Sequence, residues 1–197
     1  MDRDEVREFH FITPMSNLGS ILMHGILSHE RVAKLEHLSV ALETVQGRRH
    51  GRSVPGGLSL HRYANLYFHA RNPMMYYLKD RTDLIVVRVA PDVLDIPDAV
   101  VSDGNAAAEG TRFYPSPEGL RHLDSERVFA RYWIDPDYWL MKERKRARCA
   151  EILVPNLIPS TYIKGCYVDT EEKSRECLGL FEDLPTADVR GEIYFNE

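Results

Sequence analysis

The sequence predicts an α+β fold built on a mostly antiparallel, broken sheet. Three observations lead there. Short apolar runs such as DLIVVRV (83–89) and EILVP (151–155) read as buried strands, helical periodicity comes only in short stretches, and no regular strand–helix–strand repeat joins them. At 197 residues and 44% apolar content, the chain is expected to form a single domain over 1–197 around one sizeable core.

A strand is expected around Phe9 to Thr13. A short amphipathic helix follows over Asn17 to Leu27, where Leu18, Ile21, Leu22 and Ile26 recur near helical spacing between a Ser16 cap and a Gly25 stop. Val32, Leu35 and Leu38 or Val40 predict a second helix over much of Glu30 to Glu43. The stretch VQGRRHGRSVPGGLSLH (45–61), rich in glycine and arginine, reads as a loop able to wrap a phosphate-bearing ligand. Strands are expected at Ala64–His69 and Asp83–Val89, with a short helix over Pro73–Leu78 between them.

Ala99–Ser102 reads as a further short strand, after which the chain is irregular from Asp103. Helical patterning resumes near Pro117–Leu123, then behind an Asp124 cap up to Tyr132, and in the basic stretch Lys142–Cys149. Strands at EILVP and Tyr162–Val168 and a helix over Glu171–Leu180 complete the pattern. The end, from Glu182, reads as a loosely held strand.

Composition narrows the function. No run is long and apolar enough for a membrane helix, and MDRDEVREF lacks a signal-peptide core, so the expectation is a cytoplasmic protein with no membrane partner. Cys149, Cys166 and Cys177 fit neither a disulfide framework nor a zinc pattern and read as reduced thiols; the histidines form no metal motif, so no metal is expected. The net charge of −5 argues against nonspecific coating of nucleic acid, yet from Asp169 onward nine acidic residues face three basic ones. The acidic tail, about 169–197, reads as a solubilising segment that leaves the body near neutral.

Two basic clusters stand out in that body: Arg48, Arg49, His50 and Arg52, then Lys142, Arg144, Lys145, Arg146 and Arg148. Glu151 opens an apolar strand directly behind the second. It is either a strand-edge glutamate paired with Arg146 or Arg148, or a carboxylate placed for chemistry. Guanidinium forks of the first cluster suit a pyrophosphate, and no Rossmann or P-loop signature offers another way to hold one. Aromatic residues beside basic ones (Arg131, Tyr132 and Trp133; Tyr138 and Trp139) suit the bases and backbone of a single strand, while core packing is the plainer reading for Phe113 and Trp133.

The ordered motifs HFIT (10–13), SNLGSILMHGIL (16–27), VQGRR and VPGG (45–49, 54–57), NLYFHARNPMMY (65–76), SDGNA and TRFY (102–106, 111–114), RYW (131–133) and RKRARCAEILVP (144–155) resemble the DarT family. These are toxins that ADP-ribosylate bases of single-stranded DNA and pair with an ADP-ribosyl-hydrolase antitoxin. The resemblance covers most of residues 9–168. It implies an ADP-ribosyltransferase-like split, twisted β-core with surrounding short helices, and NAD as co-substrate.

Carried onto this chain, the resemblance implies Glu151 and Arg49 as catalytic residues, with Arg49 preferred over Arg48 for that role. Phe11, Ile12, Thr13, Ser20, Arg48 and Met74 fall on the NAD-contacting side. Asn105, Arg131, Tyr132, Trp133, Lys145 and Arg146 fall on the DNA-reading side. Phe11 stands where relatives often carry histidine, and so does Asn105, in the segment that would read the base. Thymidine or guanosine is the implied acceptor, with a lean to guanosine. Two other readings of the residues stand beside this one: a single-strand-binding module without catalysis, and a transferase acting on RNA or protein.

Overall fold

The computed structural model describes residues 1–35, 37–39 and 43–195, without the side chains of 43–46. Its centre is an eight-stranded sheet. The strands are β1 (Phe9–Pro14), β3 (Tyr63–Tyr67), β4 (Leu84–Val89), β5 (Val100–Ser102), β6 (Phe113–Pro115), β7 (Glu151–Pro155), β9 (Ile163–Val168) and β10 (Ala187–Val189), in the order β10-β9-β4-β1-β3-β7-β5-β6. All pairs are antiparallel except β9 with β10. A two-stranded ribbon pairs β2 (Ile26–Leu27) with β8 (Leu157–Ile158). The mixed α+β class with a large central sheet is therefore as the sequence predicts.

Short helices surround the sheet: α1 (Leu18–His24), α2 (His29–Val32), α3 (Glu43–His50), α4 (Pro73–Tyr77), α5 (Ser125–Val128), α6 (Tyr138–Ala147) and α7 (Glu171–Leu180). Several begin where a side chain takes up orphan N–H groups. Asn72 Oδ1 accepts from Met74 and Met75 at 2.9 and 3.0 Å, with Pro73 at the first position of α4. Asp137 does the same for Trp139 and Leu140 at 2.8 and 3.0 Å, so α6 starts four residues before the expected Lys142.

The core of the sheet packs Phe9, Leu66, Ile85, Val87, Ile152 and Val154 against Leu18 and Ile21 of α1. Gly25 ends α1 at φ 79°, where a Cβ would lie 2.3 Å from the carbonyl oxygen of Ile158. Only glycine turns the chain there into β2. The expected helix to Leu27 thus stops at His24.

Three expectations are corrected. The helix over Glu30–Glu43 is confined to α2, with 33–35 and 37–39 outside regular structure; its positions 36 and 40–42 lie outside the described residues. The arginine-rich stretch opens in a helix, α3: of its glycines only Gly47 falls inside, and Arg48, Arg49 and His50 fill the last turn, where cations suit the helix dipole. The segment expected as a loosely held strand is docked over its described residues, 182–195. β10 pairs with β9 in register Ala187↔Cys166, Ile193 and Tyr194 are buried, and Tyr194 Oη donates to the Tyr167 carbonyl at 2.5 Å. β6 was not legible in the irregular stretch after Asp103.

Candidate active-site cleft

A cleft of about 390 Å³ opens beside β1, α1 and α4. Phe11, Ile12 and Thr13 supply one wall, Ser20 and Ile21 of α1 another, and Met74 and Tyr77 of α4 a third. Asn17 ties the segment 37–39 over this wall: its Nδ2 donates to Thr13 Oγ1 at 3.0 Å and to the Leu38 carbonyl at 2.8 Å, and its Oδ1 accepts from Leu38 N at 3.1 Å. Met74 is held in place by the Asn72 cap, whose Nδ2 also donates to the His69 carbonyl at 3.0 Å.

Glu151 begins β7 between Tyr67 of β3 and Ser102 of β5. Ser102 Oγ lies 3.2 Å from Glu151 N and 3.3 Å from its carbonyl oxygen, fixing the backbone at this register. The carboxylate is fully buried. Its Oε1 accepts from Ala106 N at 3.0 Å and its Oε2 from Arg49 Nη1 at 3.1 Å. The pairing of Glu151 with Arg146 or Arg148 that the sequence left open is not formed; the partner comes from the other basic cluster. Arg49 also lines the cleft, with Asn65, Tyr67, Asn105 and Cys149 around it.

This surrounding fixes protonation states. Burial pushes the Tyr67 phenol well above its ordinary value, and the Glu151 charge adds to that, so Tyr67 remains a hydroxyl donor. Burial, then Glu151, pushes the Cys149 thiol up to about 12, which leaves it a neutral wall rather than a nucleophile. His29, also in the cleft, is lowered by burial and by the nearby His37 and Arg49.

The segment Asp103–Thr111 presents Asn105 to the cleft and turns the Ala106 N–H onto Glu151. Arg146 braces it: Nη1 donates to Asp103 Oδ1 at 2.6 Å, while Nε and Nη2 reach Glu143 at 2.9 and 2.6 Å. Gly104 makes room for this brace, since a Cβ there would lie 2.6 Å from Arg146 Nη1. Asn105 Oδ1 accepts from Ala107 N at 2.8 Å, and its carbonyl accepts from Thr111 Oγ1 at 2.8 Å.

Of the residues singled out in the sequence, the fold brings together Phe11, Ile12, Thr13, Ser20, Arg49, Met74, Asn105 and Glu151. Arg48 is exposed on α3 and does not line the cleft. Trp133 is only 7% exposed, packed between Tyr76 and Phe195 at 6.1 and 5.8 Å, which is core packing and not an open stacking face. Arg146 faces two carboxylates rather than solvent, which makes it a brace for the loop. Arg131, Tyr132 and Lys145 are exposed, Tyr132 by 61%, with the Arg131 guanidinium 5.4 Å from its ring centroid.

Sequence reasoning missed Tyr67, Asn65, Ser102 and Asn17. All four stand within the quoted motifs, but nothing local marks Tyr67 and Ser102 as neighbours of Glu151. Among the described residues no group of three histidine, cysteine or acidic side chains is placed to hold a metal, and no helix is long and apolar enough to cross a membrane.

The arrangement superposes on the solved structure of the DarT of Thermus sp. 2.9 in complex with ADP-ribosylated single-stranded DNA, at a TM-score of 0.82 and 26% identity over 97% of each chain. The fold is thus that of the DNA ADP-ribosyltransferases. More narrowly, the chain belongs to the DarT family, whose model, described as ssDNA thymidine ADP-ribosyltransferase, matches residues 9–195. It is 34% identical over 178 residues to a DNA ADP-ribosyl transferase–DNA ADP-ribosyl glycohydrolase fusion protein of Thermosipho africanus, covering 84% of this chain but 43% of that relative, less than half its length. A DNA ADP-ribosyl transferase of Thermus sp. is 29% identical, over 93% of this chain and 91% of that one.

Proposed function

We propose that this chain transfers ADP-ribose from NAD onto a base of single-stranded DNA. The observation that carries the reading is the buried Arg49–Glu151 pair beside a cleft that also receives the β1 wall and Asn105. In the reaction the bond between the ribose C1′ and the nicotinamide nitrogen breaks, nicotinamide leaves neutral, and the base nitrogen bonds to C1′. Glu151 stabilises the positive charge that builds on the ribose and accepts the proton given up by the base nitrogen. Arg49 positions the pyrophosphate and the ribose. No step requires a metal.

Phe11, Ile12, Thr13, Ser20 and Met74 bind the NAD side, and their apolar surfaces shield the reacting carbon from water. Asn105, held at the cleft by the Arg146 brace, reads the base, with Arg131, Tyr132 and Lys145 contacting the strand. The base is thymidine or guanosine. The matching family's description supports thymidine, whereas the lean to guanosine rests on sequence resemblance alone.

Single strands are preferred, because pairing and stacking in a duplex occupy the reactive edge of the base. A modified base obstructs copying of the strand, so the chain acts as a toxin and needs a partner that removes ADP-ribose. The glycohydrolase fused to the relative from Thermosipho africanus supports such an antitoxin.

Incubation with NAD and four oligonucleotides, each offering a single candidate base in an otherwise fixed sequence, tests the reading by intact-mass spectrometry. A gain of one ADP-ribose on the thymidine or the guanosine oligonucleotide, weaker on its duplex, is expected. No gain on any strand, with strand binding retained, would hand the function to a binding module.

A further inference from the structure

A second cavity, of about 520 Å³, is lined by His10 of β1 together with His69, Arg88 and Tyr167, and shares no lining residue with the cleft. The chemistry above makes no use of it. Its walls carry Arg7, Arg71, Arg88, Lys164 and Arg190 in a protein whose net charge is −5.

The acidic residues there are already engaged. Glu8 accepts from Tyr167 Oη at 2.6 Å, His10 Nε2 at 3.2 Å and Arg88 Nη2 at 3.0 Å, with Lys164 Nζ at 3.6 Å. Glu192 pairs with Arg190 at 3.3 Å, Asp188 pairs with Arg88, and Glu5 closes the N-terminal turn on Asp2 N. Among the described residues Arg7 and Arg71 make no ion pair.

Two buried groups point the same way. Arg148 is almost wholly buried, donates through Nη1 to the Val128 carbonyl, and among the described residues leaves Nε without a partner and the guanidinium without a carboxylate. Such a charge is costly unless an anion lies within its field. That field reaches Arg71 and His69 of the cavity wall; burial and then Arg148 lower the His69 pKa to about 3. His10, 7% exposed, has a buried Nδ1 with no partner among the described residues.

The two cavities are joined by contacting side chains. The Arg71 guanidinium lies 3.7 Å over the Phe195 ring, which meets Tyr76 at 5.3 Å and Trp133 at 5.8 Å, and Tyr76 precedes Tyr77 in the cleft. We propose that the second cavity binds a phosphodiester of the same DNA strand whose base enters the cleft, through Arg71 inside and Arg7, Lys164 and Arg190 at the rim. This rests on the single-stranded DNA reading above and extends the DNA contact well beyond the modified nucleotide. An isolated phosphate is too small to use guanidinium groups spread over this volume, whereas successive phosphates of a strand can.

The test is fluorescence anisotropy of a labelled 20-nucleotide single strand at several salt concentrations, comparing the wild-type chain with the exposed triple variant Arg7→Gln, Lys164→Gln, Arg190→Gln. The triple variant should bind at least tenfold more weakly. The slope of log affinity against log salt should become shallower by about 2, since each phosphate contact to a single strand contributes about 0.7. The double variant Arg7→Glu, Lys164→Glu, chosen in case Arg190 matters for docking the chain end, should weaken binding further. Thermal melts of all variants check the fold.

A trinucleotide, which carries only two phosphodiesters, should respond to the variants much less than the long strand. Unchanged affinity and slope for the long strand overturn the proposal. So does loss of inorganic phosphate binding with strand binding intact, which would assign the cavity to a free anion, and so does selective loss of binding to an acidic peptide. No NAD is needed in this assay. Charge-dependent strand binding without any transfer would refute the enzymatic reading and leave this site, while transfer with no response to the variants would do the reverse.

Discussion

Arg49 Nη1 stands 3.1 Å from Glu151 Oε2, a contact closed across 102 residues of sequence and buried from solvent. Because the other carboxylate oxygen takes the Ala106 N–H, removal of Arg49 leaves a buried charge with half its partners. Arg49→Ala should therefore lower stability by about 3–5 kcal/mol as well as abolish transfer. Glu151→Gln keeps the shape and one oxygen to accept from Arg49, but turns an amide N–H onto the Ala106 N–H, so it should abolish transfer with a smaller loss of stability than Arg49→Ala. Chemical denaturation of both variants beside the transfer assay checks the contrast.

Tyr132 and Trp133 are adjacent in sequence and opposite in environment. Tyr132→Ala should weaken single-strand binding by about 1–3 kcal/mol and leave the melting temperature nearly unchanged, as expected for an exposed stacking face. Trp133→Ala should cost about 3–5 kcal/mol of stability through the cavity left between Tyr76 and Phe195. Paired anisotropy and denaturation measurements separate the two effects.

Gly104→Ala places a methyl group against the Arg146 guanidinium and should push it off Asp103. The loop that presents Asn105 and the Ala106 N–H then loosens. The expected result is a fall in transfer rate of tenfold or more with a modest change in melting temperature. A fall in melting temperature alone, with the rate intact, would remove the brace from the account.

His69 accepts from Arg71 N through Nδ1 at 3.0 Å, and burial with the neighbouring Arg148 lowers its pKa from 6.5 to about 3. Between these two values the unfolded chain takes up a proton that the folded chain refuses, so stability falls as pH drops below about 6.5. At pH 5 the loss amounts to about 2 kcal/mol. His69→Gln should flatten the pH dependence of the melting temperature between pH 7 and 5. Glu8, lowered to about 2 by His10, Tyr167 and Arg88 against the opposing effect of burial, acts in a different window. Its stabilising contribution is fully present above about 4.5 and disappears as pH falls towards 2.

The strands were legible wherever an apolar run stands between turn residues, as at Leu84–Val89 and Glu151–Pro155. Helix α3 was not, because the glycines after His50 dominate the composition of the stretch while only Gly47 lies within the helix. Glu151 could be singled out by its place at the head of an apolar strand. Its partner could not: the neighbouring cluster offers nearer arginines, and strand order alone brings α3 to β7. Trp133 and Arg146 looked like DNA contacts because an aromatic or a cation in a basic stretch shows nothing of Tyr76, Phe195 or Asp103, which reach them from distant parts of the chain.

Single-turnover mass spectrometry shows whether Glu151 performs transfer onto a DNA base. Wild-type and Glu151→Gln chains, each shown to bind NAD by calorimetry, are mixed with a single-stranded oligonucleotide. One ADP-ribose on a base with the wild type and none with the variant is the expected result. Equal modification by both, or none by either despite bound NAD and bound strand, would contradict it.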